Sequence, residues 1–557
     1  MVLGRSPVRN GHNHISNTRE AARISGNVAK RTRHPSGYPQ PWVSYGTAVP
    51  IDTEAVLQAE TLVVDDISCR LPGEIEHYRH LVRRATEVMG HRLAAAAARE
   101  GVRLAELDGA AHRQLADCVV NYALGLLAAQ LRRRGLRDRV GTGVTSIAEW
   151  ARQRRRADHS WSSLAFFEQW VIDGHPLHPA AKVRLPMSAS DIVDTSPEWG
   201  NVIKLAVVEV ANGIAAEHGP AAHPGRCRAL TELLLAEHPQ LAEEYGLQAR
   251  TTLIPVHPWQ ADHVLRDRYR EELAAGQIRR LDATIPGRPL VSYRTVVPQA
   301  TGTTAHPHHL KTALSVRLTN AMRGVSPISA RNGPLVSALL SRILGEHPEF
   351  EGRFEVLAEP AAAHFDSAEP APANDLGRGA ALSALARRNP EATLGDGELL
   401  LPTGALGAES PFTGEPILAE LLDELCSPNG HGRPSGSRCE AAERFSRAYA
   451  ELVIPPLLTL LTRYGVALEA HGENTLLVVS SGLPVRCIVR DFGGIRIHPN
   501  RLSVAGLTAD LPPAGALVTQ DDRELRNKLY YAAFTNDASQ LVGWLARIGG
   551  GATSTLW

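Results

Sequence analysis

Glu469-Ala470-His471-Gly472-Glu473-Asn474 and Arg490-Asp491-Phe492-Gly493-Gly494 are the two segments richest in side chains that could do chemistry. Between them run Thr475-Leu476-Leu477-Val478-Val479-Ser480 and Val485-Arg486-Cys487-Ile488-Val489, separated by Ser481-Gly482-Leu483-Pro484. Two β-branched runs around a Gly/Pro break predict an antiparallel hairpin. The break lies about midway between Asn474 and Asp491, so folding brings both residues to the open end, with Glu469 and His471 close behind. Glu469, Glu473, Asn474 and Asp491 are the hard oxygen donors that Mg2+ on nucleotide phosphates requires. Asp491-Phe492-Gly493 also matches, as a tripeptide, the metal-binding segment of protein kinases. The glycine-rich nucleotide loop of kinases is missing, which weighs against phosphoryl transfer.

A second constellation is Ser292-Tyr293-Arg294-Thr295, followed by Lys311 and then Thr319-Asn320-Ala321-Met322-Arg323. If the two segments pair as strands, three cations and three hydroxyls converge, as polyanion recognition requires. Lys311 lies in an apolar run with Leu310, Ala313, Leu314 and Val316, so its charge needs an anionic partner or a route to solvent. A third constellation, Gly174-His175-Pro176-Leu177-His178-Pro179-Ala180-Ala181-Lys182-Val183-Arg184, reads as a rigid loop against a nucleotide or phosphate. Proline after each histidine favours extended chain, which argues against a zinc site there. His306-Pro307-His308-His309 reads as a solvated loop rather than a metal site, and His257-Pro258-Trp259-Gln260 as a strand end anchored by Trp259. Gly141-Thr142-Gly143 could touch phosphate, but such loops are common, and neither a Walker A loop nor a GxSxG elbow occurs.

The elements that must position these groups change along the chain. Helical patterns over 74–99 and 111–134 dominate the first third, the second expected to stop at Gly135 after Arg132-Arg133-Arg134. That cluster reads as helix-dipole compensation on a solvated face. From Leu253 the pattern turns to strands: 252–257, then 290–297, then a returning strand over 310–318. Breaks at 359–376 and 427–437 precede a helix over 441–464 that stops at Gly465. The fold class is α+β with several subdomains, helices first and antiparallel sheets later. At 557 residues the chain exceeds one ordinary core, and 43% apolar content excludes wholesale disorder. Lys+Arg and Asp+Glu both number 59, which argues against nucleic acid or a membrane as partner. Six cysteines without CxxC spacing exclude a zinc ribbon or disulfide framework and fit a cytoplasmic location.

Taken in order, the GHPxHPxxKxR segment, Ser196-Pro197-Glu198-Trp199, the HPWQ stretch, SxRT, HLK…TNxxR, Arg387 with Asn389-Pro390, EAHxxN and RDFGG resemble the NRPS-independent siderophore synthetases, the IucA/IucC-like family. The resemblance implies a cupped hand of thumb, fingers and palm around a nucleotide. The expected organisation is a mobile tail over 1–45, a helical thumb-like part over 46–190, a fingers-like β-rich part over 191–395 and a palm-like part over 396–557. It also implies ATP- and Mg2+-dependent adenylation of a carboxylate, typically citrate or a citrate-derived acid. An amine or hydroxyl then attacks, giving an amide or ester with release of AMP and pyrophosphate. Carried over by position, Ser292, Arg294 and Thr295 contact ATP, Lys311 meets its phosphates, and His178 and Lys182 support the nucleotide. Thr319, Arg323 and His471 hold the acid, with His471, Arg323 and Lys311 as the catalytic set. Asn474 binds phosphate or metal, and Glu469 and Asp491 bind Mg2+. Family members often form dimers. Two departures from the family pattern are Pro186 after the Lys-x-Arg and Asn536-Asp537 near the C-terminus.

Overall fold

The computed structural model describes residues 51–100, 108–140, 144–175, 178, 180–220, 228–245, 251–319, 321–367, 376–426, 436–508 and 517–557. The expected tail over 1–45, the Gly141–Gly143 loop, Pro176, Leu177, Pro179, Cys227, Asn320 and most of the 427–437 break lie outside them.

Three helices, Thr53–Ile67, Ile75–Glu100 and Gly109–Val140, open the described chain. Asp52 caps the first by accepting from the amides of Glu54 and Ala55. Tyr78, Leu81, Val82, Ala85 and Met89 recur at helical spacing and pack on Cys118, Val119, Ala123 and Leu127. The third helix runs through Gly135, where a stop was expected. Glycine in a helix interior costs only about 1 kcal/mol, and tertiary anchors on both sides outweigh it. Arg132 donates to the carbonyls of Gln169 and Glu198 and lies over the Trp170 ring, and Arg137 donates to those of Pro411 and Phe412. The basic cluster therefore ties elements together instead of forming a solvated face.

An antiparallel eight-stranded sheet follows. Its spatial order is Ala215–His218, Ala361–Phe365, Ser383–Arg387, His309–Thr312, Thr295–Pro298, Ile278–Pro289, Ile203–Val210 and Thr252–Val256. Its apolar face (Leu205, Val207, Ile285, Val296, Leu310, Ala384 and Ala386) is covered by Ala229–Glu237 and neighbouring helices. Two expected strands are corrected. The 290–297 run is a turn followed by a short strand: Leu290 donates to the Thr295 carbonyl and Tyr293 to that of Leu290, each at 2.8 Å. Tyr293 has φ +65° there. The 310–318 run breaks at Ala313, where the chain leaves the large sheet and Leu314–Leu318 pairs instead with Ala321–Arg323.

The C-terminal part is built on the helix Arg438–Tyr464, closed by a Ser437/Glu440 capping box and ended by Gly465 at φ +67°. Against it lies a four-stranded sheet ordered Leu399–Pro402, Thr475–Ser480, Leu483–Val489, Phe354–Val356. The predicted hairpin is present, with Ser481 (φ +48°) and Gly482 (φ +79°) forming the two-residue left-handed turn such hairpins favour. Phe354–Val356 pairs with it in parallel, so this sheet is not purely antiparallel. Ile147, Ala151, Phe167 and Trp170 also pack into this core rather than into that of the N-terminal helices. Among the described residues no helix is long and apolar enough to cross a membrane.

Candidate active site

The face of the large sheet opposite its apolar core and the open end of the hairpin line a cavity of about 880 Å3. In register, Thr295 faces Lys311 and Lys311 faces Leu385, with Arg387 two residues further on. A strand's period of two puts all four on the side opposite Leu310 and Ala386, so they line the cavity while their neighbours fill the core. Lys311, which needed an anionic partner, finds it in Asp491: its Nζ donates to Oδ1 at 2.8 Å and Oδ2 at 2.6 Å. Arg387 stands 3.5 Å from the same carboxylate and 2.7 Å from Glu359. Burial alone would raise Asp491, but Lys311, Arg387 and Arg294 together hold it well below the usual carboxylate range. Burial brings Lys311 down to about 8 in spite of Asp491. Arg294 donates to the Gly324 carbonyl at 2.6 Å and is lowered to about 10 by burial, with Arg323 adding to the effect. Among the residues lining the cavity seven are Lys or Arg (Lys182, Arg184, Arg294, Lys311, Arg323, Arg387 and Arg490) and four are Glu or Asp (Glu359, Glu469, Glu473 and Asp491), a surplus of positive charge that suits a polyanion.

The hairpin mouth forms a second wall. The Asn474 carbonyl accepts from the Arg490 amide at 3.0 Å, which fixes the loop before the first strand against the segment after the second. Within that loop the Asn474 side chain donates to the Glu469 carbonyl at 3.1 Å and meets His471 Nε2 at 3.2 Å. His471 Nδ1 accepts from the Glu473 amide at 3.3 Å. Arg490 donates to the Glu473 carbonyl at 3.1 and 2.7 Å and pairs with the fully buried Glu168 at 2.7 Å. Opposite, Arg323 donates to the Leu318 carbonyl and to Thr319 Oγ1 at 3.2 and 3.0 Å.

The third wall carries Gly174, His175, His178, Lys182 and Arg184. Lys182 was expected to touch the nucleotide, but its buried ammonium is bonded to Glu198 at 2.6 Å. Burial would raise Glu198, yet Lys182 and Arg184 bring it to about 2. Glu198 in turn accepts from the Tyr293 hydroxyl at 3.2 Å, and Arg184 lies over the Tyr293 ring at 4.2 Å. Lys182 therefore braces the Ser292–Thr295 turn. Next to it, Ser292 Oγ is buried and has no partner among the described residues. Such an atom costs free energy until a ligand or water satisfies it. Of the four non-glycine residues described with positive φ, Tyr293, Thr319 (+61°) and Asp491 (+72°) line this one cavity. For Tyr and Thr that conformation is strained and must be held by its surroundings, a pattern common at functional sites.

The twelve residues to which the family resemblance gives a role (His178, Lys182, Ser292, Arg294, Thr295, Lys311, Thr319, Arg323, Glu469, His471, Asn474 and Asp491) all line the cavity, as does Glu473. The hard oxygens of Glu469 and Asp491 flank Gly493-Gly494: Asp491 Oδ1 accepts from the Gly493 amide at 3.2 Å, and a β-carbon on Gly494 would overlap the Glu469 carboxylate. Lys528 pairs with Glu469 at 2.6 Å, as Lys311 does with Asp491. Two carboxylates with an amide oxygen fit Mg2+, which takes one or two protein carboxylates and completes its shell with water and phosphate oxygens. Among the described residues no group of three or more His, Cys, Asp or Glu side chains gathers as a dedicated metal cage, at the histidine-rich segments or elsewhere. His308 is instead paired with Glu237 at 2.7 Å, and His257 Nδ1 accepts from the amide of the buried Trp259. Sequence reading assigned no role to Glu198, Glu359, Arg387, Arg490 or Lys528. A signal existed for two of them: Arg387 closes the apolar run Ser383-Ala384-Leu385-Ala386, and Arg490 closes Cys487-Ile488-Val489.

Residues 163–408 match the model of the IucA / IucC family, and residues 443–557 match that of the ferric iron reductase FhuF-like transporters. The cavity draws on both segments. D-ornithine–citrate ligase of Staphylococcus aureus is 27% identical over 394 residues, covering 69% of this chain and 58% of that protein. Staphyloferrin A synthase of the same organism is 25% identical over 403 residues, covering 71% and 63%. An uncharacterized protein of Sinorhizobium fredii is 30% identical over 339 residues, covering 58% and 50%. The chain thus spans between half and two thirds of the length of these relatives. Among solved structures, petrobactin biosynthesis protein AsbB of Bacillus anthracis superposes with a TM-score of 0.63 at 21% identity, covering 82% of this chain and 72% of that one. ATP-bound aerobactin synthetase IucA of Klebsiella pneumoniae superposes with a TM-score of 0.63 at 20% identity, covering 90% and 77%. At these identities the structural likeness concerns the fold.

Proposed function

We propose, from a chain whose residues 163–408 match the model of the IucA / IucC family, that the cavity is the active site of a siderophore synthetase dependent on ATP and Mg2+. It adenylates a carboxylate, citrate or a citrate-derived acid, and condenses it with an amine or hydroxyl. The carrying observation is the Lys311–Asp491 pair, which joins the cationic sheet face to the oxygen-rich hairpin mouth within one cavity. Relatives named as D-ornithine–citrate ligase and as N(2)-citryl-N(6)-acetyl-N(6)-hydroxylysine synthase support an acid–amine condensation, and the fold shared with ATP-bound IucA supports ATP as the activating nucleotide.

The chemistry follows from charge. Adenylation brings a carboxylate against a triphosphate, so the surplus cations offset the repulsion and hold the reacting atoms in line. Ser292, Arg294 and Thr295 bind the nucleotide, with the orphaned Ser292 hydroxyl as one donor. Lys311 and Asn474 meet the phosphates. Thr319, Arg323 and His471 hold the acid. A carboxylate oxygen attacks the α-phosphorus, the bond to the β-phosphate oxygen breaks, and pyrophosphate leaves with the bonding pair. The nucleophile then attacks the acyl carbon, AMP leaves, and the protons lost by an amine pass to solvent or a nearby base. Glu469, Asp491 and Asn474 would hold Mg2+, which when bound neutralises phosphate charge. Incubation with ATP, Mg2+, a panel of acids and hydroxylamine tests the reading: acid-dependent pyrophosphate and AMP with a hydroxamate product supports it, and ADP formation or acid-independent turnover refutes it.

A further inference from the structure

One wall of the cavity holds polar groups that the chemistry above leaves unused. Asn332 lies in the second turn of the helix Pro327–Gly345, is 3% exposed and lines the cavity. Its Oδ1 is buried and meets no hydrogen-bond donor among the described residues. Asparagine is a weak helix former, so an unpaired one inside a helix needs another reason to be there. The next residue, Gly333, packs directly on Glu359: a β-carbon at 333 would stand 2.9 Å from Glu359 Oε2. The same helix also fixes the Glu359 main chain. Ser337 Oγ accepts from the Glu359 amide at 2.8 Å and donates to the Gly333 carbonyl at 2.7 Å.

Glu359 already has its counter-ion. Its Oε1 accepts from Arg387 Nε at 3.3 Å and from Nη2 at 2.7 Å, while Oε2 accepts no hydrogen bond among the described residues. The helix thus presents two acceptor oxygens without donors, Asn332 Oδ1 and Glu359 Oε2, one on each side of Gly333. Val325 and Leu385, which pack together with Ala330, line the cavity beside them. Carboxylate and phosphate oxygens bring no proton to such a pair. Hydroxyls on a ring with an apolar face do, and that face suits Val325 and Leu385.

The position of the pair says which reactant carries those hydroxyls. Arg387 joins Glu359, at 2.7 Å, to Asp491, at 3.5 Å. Glu359 also acts through its charge on Arg294 and Lys311, the cations assigned to the nucleotide. The carboxylates that act on Arg323, on the acid side, are Glu473, Asp491 and Glu469 instead. The pair therefore adjoins the phosphate cations, where the ribose of ATP lies because a single methylene joins it to the α-phosphate. A carboxylate that accepts from a ribose hydroxyl is the device of dinucleotide-binding sites as well.

We propose that Asn332 and Glu359 bind the ribose hydroxyls of the nucleotide, so that the enzyme selects ribonucleotides over deoxyribonucleotides. This rests on the ATP-dependent adenylation reading above and deepens it.

The test measures hydroxamate formation by the full chain with ATP, 2′-deoxy-ATP and 3′-deoxy-ATP, in the parent, Asn332→Ala and Gly333→Ala. The second variant keeps Glu359 but pushes its Oε2 away with the added methyl, and alanine suits a helix better than glycine. Circular dichroism and thermal melting establish that each variant is folded. In the parent, KM for at least one deoxynucleotide is expected to exceed that for ATP by about tenfold or more, since a site built around a hydroxyl rejects the analogue that lacks it. Asn332→Ala and Gly333→Ala are each expected to raise KM for ATP while moving KM for that deoxynucleotide less than about threefold, so that discrimination shrinks. KM for the acid and the Mg2+ requirement are expected to stay at parent values. Parent KM values for both deoxynucleotides within about threefold of that for ATP would overturn the proposal without any variant. Equal weakening of ATP and both deoxynucleotides in the variants, or discrimination unchanged in both, also overturns it. So does a shift in the acid KM or the Mg2+ requirement, which would assign the pair to the acid or the metal. A parent that forms no hydroxamate from ATP with any acid defeats the adenylation reading itself, a result distinct from these.

Discussion

Asp491→Asn is the sharpest perturbation of the site. Asparagine keeps the size of the side chain and tolerates the left-handed conformation, so the backbone at φ +72° is not newly strained. What changes is charge. Lys311 loses one of two charge-assisted bonds (2.8 and 2.6 Å), and Arg387 at 3.5 Å and Arg294 lose their shared counter-ion. Breaking a buried pair on one side costs about 3–5 kcal/mol. The Asp491 side chain is 26% exposed, so solvent screening brings the cost below that range, to roughly 2–3 kcal/mol of folding stability. The effect on Mg2+-dependent adenylation is larger, because a metal ligand is lost as well, and a fall of at least about 100-fold is expected. The pH dependence adds an internal check. Lys311 is already down at about 8 with Asp491 beside it. Removing that negative charge lowers it further, so the ammonium is lost at a lower pH. The residual rate of the variant should therefore rise as pH falls from 8 to 6. The assay is acid-dependent ATP–pyrophosphate exchange against Mg2+ and pH, with urea unfolding in parallel to separate loss of function from loss of fold. Parent-like exchange together with an unchanged urea midpoint would refute the assignment of Asp491.

Three further outcomes are expected. Arg323→Ala should cost about 2–5 kcal/mol of acid binding, since it truncates one partner of a desolvated charge pair; KM for the acid rises steeply while ATP binding, measured by calorimetry, is largely kept. Gly494→Ala should abolish turnover with the fold retained, because the added methyl overlaps the Glu469 carboxylate that Lys528 holds in place; parent-like kinetics would show that Glu469 can move freely. Asp537 is raised by burial to about 6 from 3.8, so its ionisation is unfavourable in the folded protein and stability is lost as pH rises through this window. Asp537→Asn keeps an acceptor for the Tyr449 hydroxyl and should stabilise the protein by up to roughly 3 kcal/mol at pH 7.5. By pH 5 that gain should shrink by about 1.4 kcal/mol, and a gain independent of pH in denaturant titrations would contradict the assignment.

Local rules carried the sequence reading where they were not opposed. The hairpin, with its Ser481-Gly482 turn and its open end at Asn474 and Asp491, was legible because alternation and turn chemistry agree. So was the stop at Gly465 and the burial of Trp259 at a strand end. The failures are tertiary. Ser292-Tyr293-Arg294 reads as strand by composition, but Glu198 and Arg184 hold Tyr293 in a left-handed turn that no local preference favours. Helix 109–140 passes Gly135 because Arg132 and Arg137 are anchored by distant carbonyls. The parallel partner Phe354–Val356 is invisible in a three-residue segment, since pairing across more than a hundred residues leaves no periodic mark. The site residues were legible by type, but which cation answers which carboxylate was not. That Lys182 belongs to Glu198 depends on how the segment around Lys182 packs on the turn Pro197–Trp199, and that Lys311 belongs to Asp491 on how the two sheets meet.

The central claim is that one cavity joins a cationic sheet face to an oxygen-rich hairpin mouth in order to adenylate an acid. Its most direct test is product analysis of a single incubation with ATP, Mg2+, citrate and hydroxylamine, citrate being replaced across an acid panel. AMP, pyrophosphate and hydroxamate are expected in equal amounts, each dependent on the acid and each formed at least about 100-fold more slowly when Asp491 is asparagine. Release of ADP and phosphate, or turnover indifferent to every acid, would contradict it.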